Sequence, residues 1–211
     1  MKIVLKNIKK EYKKNIILED VNIEFEDGNI YGFIGRNGSG KSLLLKLICG
    51  FIVPTAGQII YDDKILNKDI VVPPSTRCLI ERPQFIPTLS GYKNLELIAN
   101  IKKIITKEEI ERSLKNVGLY EKKDKKYYKY SLGMKQKLGI AQVLMENPKI
   151  IILDEPFNGI DYESVNKIKK LLLEEKEKGK IIIISSHIKE DINELSNKIF
   201  EFDNCKVKEV K

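Results

Sequence analysis

Gly35-Arg36-Asn37-Gly38-Ser39-Gly40-Lys41-Ser42 has the residue types and spacing of a backbone wrapped around a polyphosphate. Glycines let successive N–H groups point inward where a Cβ would clash, and a helix starting after the loop aims its positive end at the same anion. Lys41 is placed to neutralise the β and γ phosphates, and Ser42 to offer its hydroxyl to Mg²⁺. A second chemical pair lies more than a hundred residues on, where Ile150-Ile151-Ile152-Leu153 runs into Asp154-Glu155-Pro156. An acid after a short apolar run marks the carboxyl edge of a buried parallel strand, where open α/β sheets bind ligands. Asp154 is placed to hold Mg²⁺ through its water shell. Glu155, pointing elsewhere, is placed to polarise a water toward the γ-phosphate. Taken alone, the apolar run with its Asp-Glu pair reads more readily as a strand end with solvated acids, but together with the glycine loop it implies hydrolysis of a nucleoside triphosphate.

On these motifs the chain resembles the nucleotide-binding subunits of ATP-binding-cassette (ABC) transporters, over essentially all of residues 1 to 211. The resemblance assigns further residues. Tyr12 matches the aromatic position that stacks on adenine, although a lone tyrosine would otherwise read as a half-buried strand residue. Asn158-Gly159-Ile160-Asp161 matches the D-loop at the dimer contact. His187, the chain's single histidine, follows Ile181-Ile182-Ile183-Ile184-Ser185-Ser186 as the switch histidine does, and joins Glu155 as a catalytic candidate.

The family signature, normally Leu-Ser-Gly-Gly-Gln, stands here as Tyr130-Ser131-Leu132-Gly133-Met134. Ser131 can cap the following helix and, with Gly133, form an anion site. At the position of the Mg²⁺-sensing glutamine the chain has Glu81, with Gln84 three residues later. A carboxylate there could still ligate Mg²⁺, at a Coulombic cost beside triphosphate that glutamine avoids. Ile80-Glu81-Arg82-Pro83 and Ser131 to Gln136 are similar to the bacitracin-resistance and lantibiotic-immunity branch.

The resemblance implies an ATP-hydrolysing subunit with ATP and Mg²⁺ as ligands, paired head-to-tail with a second copy of itself and coupled to an integral membrane permease. Expected cargo is a peptide antibiotic or another small molecule, exported. The alternative is a soluble ABC-type ATPase of DNA repair or translation. Such proteins generally carry two cassettes or a long coiled-coil insertion, for which 211 residues leave little room.

Composition agrees by exclusion. The net charge of +8 comes from 38 basic residues, all lysine except Arg36, Arg77, Arg82 and Arg112. Base readout leans on arginine, and aromatics are not interleaved with the lysines, so a solvated basic surface is favoured over specific nucleic-acid binding. Cys49, Cys78 and Cys205 form no C-x-x-C pair, which speaks against a zinc site or a disulfide framework. No apolar run approaches a bilayer span, and no signal peptide is evident. The expectation is a cytoplasmic chain, peripheral on the inner face of the membrane through its permease, without an appended regulatory domain.

Elements must place these residues at one edge. The expected class is α/β: a P-loop NTPase core with a mostly parallel sheet, an N-terminal antiparallel β subdomain and an inserted helical subdomain. Residues 1 to about 30 alternate apolar and polar as antiparallel strands do, with a turn at Asp27-Gly28. The glycine loop sits between the apolar run Ile30 to Ile34 and a helical pattern from Leu43. From Gly91 the pattern turns helical, with a capping box at Thr106 to Glu109 and Gly118 as a stop. The helical subdomain is expected over about 82–140, between core segments 1–81 and 141–211. A last helix is expected from Asp161 as N-cap to Gly179, before the strand Ile181 to Ile184.

Overall fold

In the computed structural model, which describes all 211 residues, the alternation of the first segment becomes β1 (Lys2–Tyr12) and β2 (Asn15–Glu26), paired antiparallel. Ile3 and Leu5 of β1, and Val21, Ile23 and Phe25 of β2, are buried while their neighbours face out, the period-2 pattern of a half-covered sheet. With β4 (Ala56–Tyr61) and β5 (Lys64–Ile65) they form a four-stranded sheet in the order β2-β1-β4-β5. The turn at Asp27-Gly28 is present, with Gly28 at φ 71°.

The second sheet comprises β3 (Asn29–Gly35), β6 (Thr76–Leu79), β7 (Ile150–Asp154), β8 (Ile181–Ser185), β9 (Lys198–Asp203) and β10 (Lys206–Glu209). Its order is β10-β9-β3-β8-β7-β6, parallel throughout except for β10 at one edge. All residues of β7 and β8 are buried, because helices and the other sheet cover both faces. One core contains Ile150, Ile152, Ile181 and Ile183 with the antiparallel sheet and with Leu44, Leu45, Leu47 and Ile48 of α1 (Lys41–Ile48). The opposite core joins Ile151, Leu153, Ile182 and Ile184 to α4 (Leu132–Met145) and α5 (Tyr162–Glu177).

Register then sets the functional edge. Phe33 of β3 and Asp154 of β7 both pair with Ser185 of β8, so three strands end side by side where the chain leaves the sheet. Between β6 and β7 lie α2 (Gly91–Lys102) and α3 (Lys107–Asn116), followed by α4. Ser90 caps α2, the Thr106–Glu109 capping box starts α3, and Ser131 caps α4 by accepting from the Met134 N–H. Asp161 caps α5, as expected, but α5 is not the last helix. The short α6 (Lys189–Leu195) follows β8 and buries Ile192 and Leu195. Seven residues are too few for a helical period to stand out from the sequence.

Candidate nucleotide-binding site

β3 delivers the glycine loop and α1 receives it. Gly38 and Gly40 stand at φ 80° and 104°, where a side chain would be strained. Gly40 is the N-cap of α1 and provides no side-chain cap, so first-turn N–H groups of the helix are left for an anion. The Lys41 ammonium folds back into the loop, donating to the carbonyls of Gly35 at 2.7 Å and Arg36 at 3.1 Å. Burial pushes its pKa down, while the charges of Glu155 and Asp154 pull it up. Ser39 contributes a buried hydroxyl oxygen with no partner. A cleft of about 300 Å³ runs along Asn37, Gly38, Gly40, Lys41 and Ser42 and reaches Glu155, with Ile17 of β2 on another side.

The acids stand at the ends of neighbouring strands. Asp154 is buried at the end of β7, and its carboxylate accepts a hydrogen bond from the Ser185 hydroxyl of β8. Glu155, the next residue, has φ 48°, a left-handed conformation that costs a glutamate about 1–3 kcal/mol. Its backbone is held from both sides. The N–H donates to the Ser185 carbonyl at 3.0 Å and hydroxyl at 3.3 Å, and the C=O accepts from the Gln136 side chain at 3.1 Å. Its Oε2 lies 2.7 Å from Nδ1 of His187, which is about half exposed. Lys41, Asp154, Glu155 and His187 therefore meet at one sheet edge, although they come from three separate segments.

The other candidates surround this centre at different distances. Tyr12 ends β1 across the hairpin turn from Asn15, with its ring 46% exposed and the Lys10 ammonium 4.9 Å from the ring centroid. Arg36 and His187 also line a neighbouring cleft beside Phe202. Ser131 is exposed at the start of α4, turned to solvent rather than into the cleft. Gly133 packs on Gly159: a Cβ at Gly133 would fall 2.4 Å from the Gly159 carbonyl oxygen. Asp161 accepts from the Ser164 N–H at 3.0 Å, and these cap bonds, with Lys137 beside them, hold its carboxyl below the usual range. Asn158 donates its N–H to the Glu155 carbonyl at 3.3 Å, so the 155–161 segment is one compact turn. Glu81, at φ 64°, pairs with Lys46 of α1 at 2.5 Å and is 66% exposed. Lys46 is a partner that the motif reading did not supply.

Ser185 and Gln136 carry contacts that sequence reasoning passed over. Ser185 had a usable signal, since a hydroxyl closing a run of four isoleucines falls beside the Asp154 strand end once the strands are parallel and in register. Gln136 had none, because its partner is a backbone carbonyl nineteen residues away.

The oxygen donors fit Mg²⁺: Ser42 and Asp154 supply a hydroxyl and a carboxylate, and there is no cluster of three or more His, Cys, Asp or Glu for a softer or fully caged ion. An ion that keeps most of its ligands as water and phosphate oxygen needs no more from the protein.

A sheet whose strand ends carry a glycine loop, an Asp-Glu pair and a histidine, with a capped helix docked beside them, defines a P-loop ATPase of the cassette type. Residues 18–158 match the family described as ABC transporter, and the chain belongs to that family as an ATP-binding subunit. It is 43% identical to the ABC transporter ATP-binding protein YybJ of Bacillus subtilis (strain 168), over 94% of this chain and 91% of that one. It is 35% identical to the bacitracin transport ATP-binding protein BcrA of Enterococcus faecalis, over 92% of this chain but only 63% of BcrA. It is 34% identical to the lantibiotic transport ATP-binding protein SrtF of Streptococcus pyogenes, over 92% of this chain and 83% of SrtF. Among solved structures, the dimeric bacterial ABC transporter cassette MJ0796 superposes with a TM-score of 0.89 at 27% identity, covering 99% of this chain and 98% of that one. The same cassette in a dimeric post-hydrolysis state with ADP and Pi gives 0.88 at 26% identity, with the same coverage.

Proposed function

We propose that this ABC ATPase works as a head-to-tail homodimer that powers export of a peptide antibiotic or related small molecule through a separate integral membrane permease. It would act on the inner face of the membrane through that permease. The names of BcrA and SrtF support this cargo class, and the dimeric cassettes support the pairing. A soluble role in DNA repair or translation has no support from these relatives.

The observation that carries the chemistry is Glu155, held at φ 48° beside Lys41 and bonded to His187. Lys41 and the loop N–H groups bind the phosphates, with Ser39 available as a further donor. Ser42 and Asp154 would hold Mg²⁺, which would supply charge neutralisation to the phosphates. Glu155 orients the attacking water, and His187 holds the carboxylate toward it. Tyr12 offers its free face to adenine. Ser131, exposed at the start of α4, and Gly133, buried behind it against Gly159, form an anion site for the nucleotide of the second copy, with Asn158, Gly159 and Asp161 at the contact. Glu81 senses the ion when released from Lys46. ATP thus bridges two copies, and loss of the γ-phosphate removes the contacts that favour the closed pair. The core of 1–81 and 141–211 carries the nucleotide, while the helical segment 82–140 faces the permease.

Glu155→Gln keeps the side chain's shape and removes its basicity. The variant should bind ATP, lose at least about a hundredfold in phosphate release, and run as an ATP-dependent dimer on size exclusion. Turnover at the wild-type rate would refute the assignment.

A further inference from the structure

We propose that Gln136 is a positioning residue that ties the carboxylate of Glu155 to the start of α4, so that docking of a second copy on this helix sets the geometry of hydrolysis in the first. The inference rests on the reading of Glu155 as the residue that orients water.

Glu155 adopts a backbone conformation it would not choose alone, and the two peptides flanking its Cα decide where the side chain points. The preceding peptide is fixed by the core, through the bonds of the Glu155 N–H to Ser185. The following peptide is fixed by α4, through the Gln136 amide at 3.1 Å, with the local Asn158 N–H as a weaker second donor at 3.3 Å. Gln136 is 5% exposed, so an unmade bond there would leave a buried amide unpaired. Its position is therefore specified rather than incidental.

The same two turns of α4 fasten to the segment after Glu155 at further points. Leu132 covers Gly159, Gly133 allows backbone contact with the Gly159 carbonyl, and Lys137 donates to Asp161 at 3.3 Å and to the Ser164 hydroxyl. Gln136 is the one point at which this seam reaches Glu155 itself. Ser131 caps the same helix on its exposed end, where the proposed dimer places the other copy's nucleotide. A shift of α4 on docking moves the Glu155 carbonyl, and with it the carboxylate.

The test separates donor chemistry from packing. Gln136→Leu fills the space without a donor, Gln136→Glu puts an acceptor against the carbonyl, and Gln136→Lys keeps a donor. Leu and Glu should lower kcat by about ten- to a hundredfold, as misplacement of a catalytic group does, with ATP affinity unchanged. Lys should recover most of the loss. In a Glu155→Gln background, Gln136→Leu should still dimerise with ATP, which shows that helix and interface remain intact. Wild-type kcat in Gln136→Leu overturns the proposal, as does equal activity of the Glu and Lys variants, or a loss of ATP affinity and dimer parallel to the loss of kcat. A wild-type chain that releases no phosphate from ATP refutes the ATPase reading itself, and the role of Gln136 with it.

Discussion

Lys41 shows how much one residue can be asked to do and how the sequence announces it. Its ammonium is buried and bonded to two carbonyls of its own loop, so the loop is already shaped around a positive charge. A triphosphate entering the cleft meets that charge without first ordering a flexible side chain. Lys41→Ala should weaken ATP binding by about ten- to a hundredfold, the value of a charge-assisted hydrogen bond of 1.5–3 kcal/mol. Titration calorimetry with Mg-ATP reads this directly, and ATP affinity equal to wild type would remove Lys41 from the site. The loop, Asp154 and Glu155 were legible because their chemistry lies in residue type and short spacing. Ser185 left a signal that was passed over, the hydroxyl closing the isoleucine run beside the Asp154 strand end, whereas Gln136 left none, because its role exists only after α4 has come against the end of β7. Glu81 was legible as a position but not as a partner of Lys46, a contact set by how β6 and α1 pack.

At the level of elements, hydrophobic runs and caps carried most of the information. The apolar runs at Ile30, Ile150 and Ile181 became β3, β7 and β8, and Thr106, Ser131 and Asp161 capped the helices they were expected to cap. α6 escaped notice, and so did the feature that seats it. Gly32, in the middle of β3, has no turn to make; a Cβ there would lie 2.2 Å from Cγ2 of Ile192 and 2.6 Å from the Ser196 hydroxyl oxygen. The glycine lets α6 lie directly on the strand that feeds the phosphate loop. Gly32→Ala should cost about 1–3 kcal/mol as an overpacked contact, lowering Tm by roughly 2–12 °C for a chain of this length. Thermal unfolding by circular dichroism measures it, and an unchanged Tm would mean that α6 is free to move off β3. Pattern alone could not reveal this contact, because it depends on which helix crosses which strand.

At the scale of the whole molecule, two cores lie on either face of the six-stranded sheet, and one stretch of its rim is closed by buried charge. Where the end of α5, the start of β8 and the turn before β7 converge, Lys180 donates to Glu175 and to Asn147 Oδ1 at 2.6 Å, and Lys178 donates to the other Glu175 oxygen at 2.6 Å. Lys180 and Glu175 are both buried. Burial pushes the Glu175 carboxyl up, but the hydrogen bonds from Lys178 and Lys180 outweigh it and leave the group below its ordinary value. A depressed carboxylate stabilises the fold above its unfolded pKa of about 4.3 and loses that contribution as pH falls through the lower folded value. Lys180→Met should therefore cost up to about 3 kcal/mol at pH 7, since it leaves a buried carboxylate with only the more exposed Lys178. The cost should shrink below pH 4 as Glu175 takes up a proton and no longer needs the cation. Replacing both residues, with Glu175→Gln added, should recover part of the loss at pH 7 because no unpaired charge remains. Melting curves for the three proteins at pH 7 and below pH 4 decide the matter: a difference between wild type and Lys180→Met that stays constant across that range would show that the contact contributes packing alone.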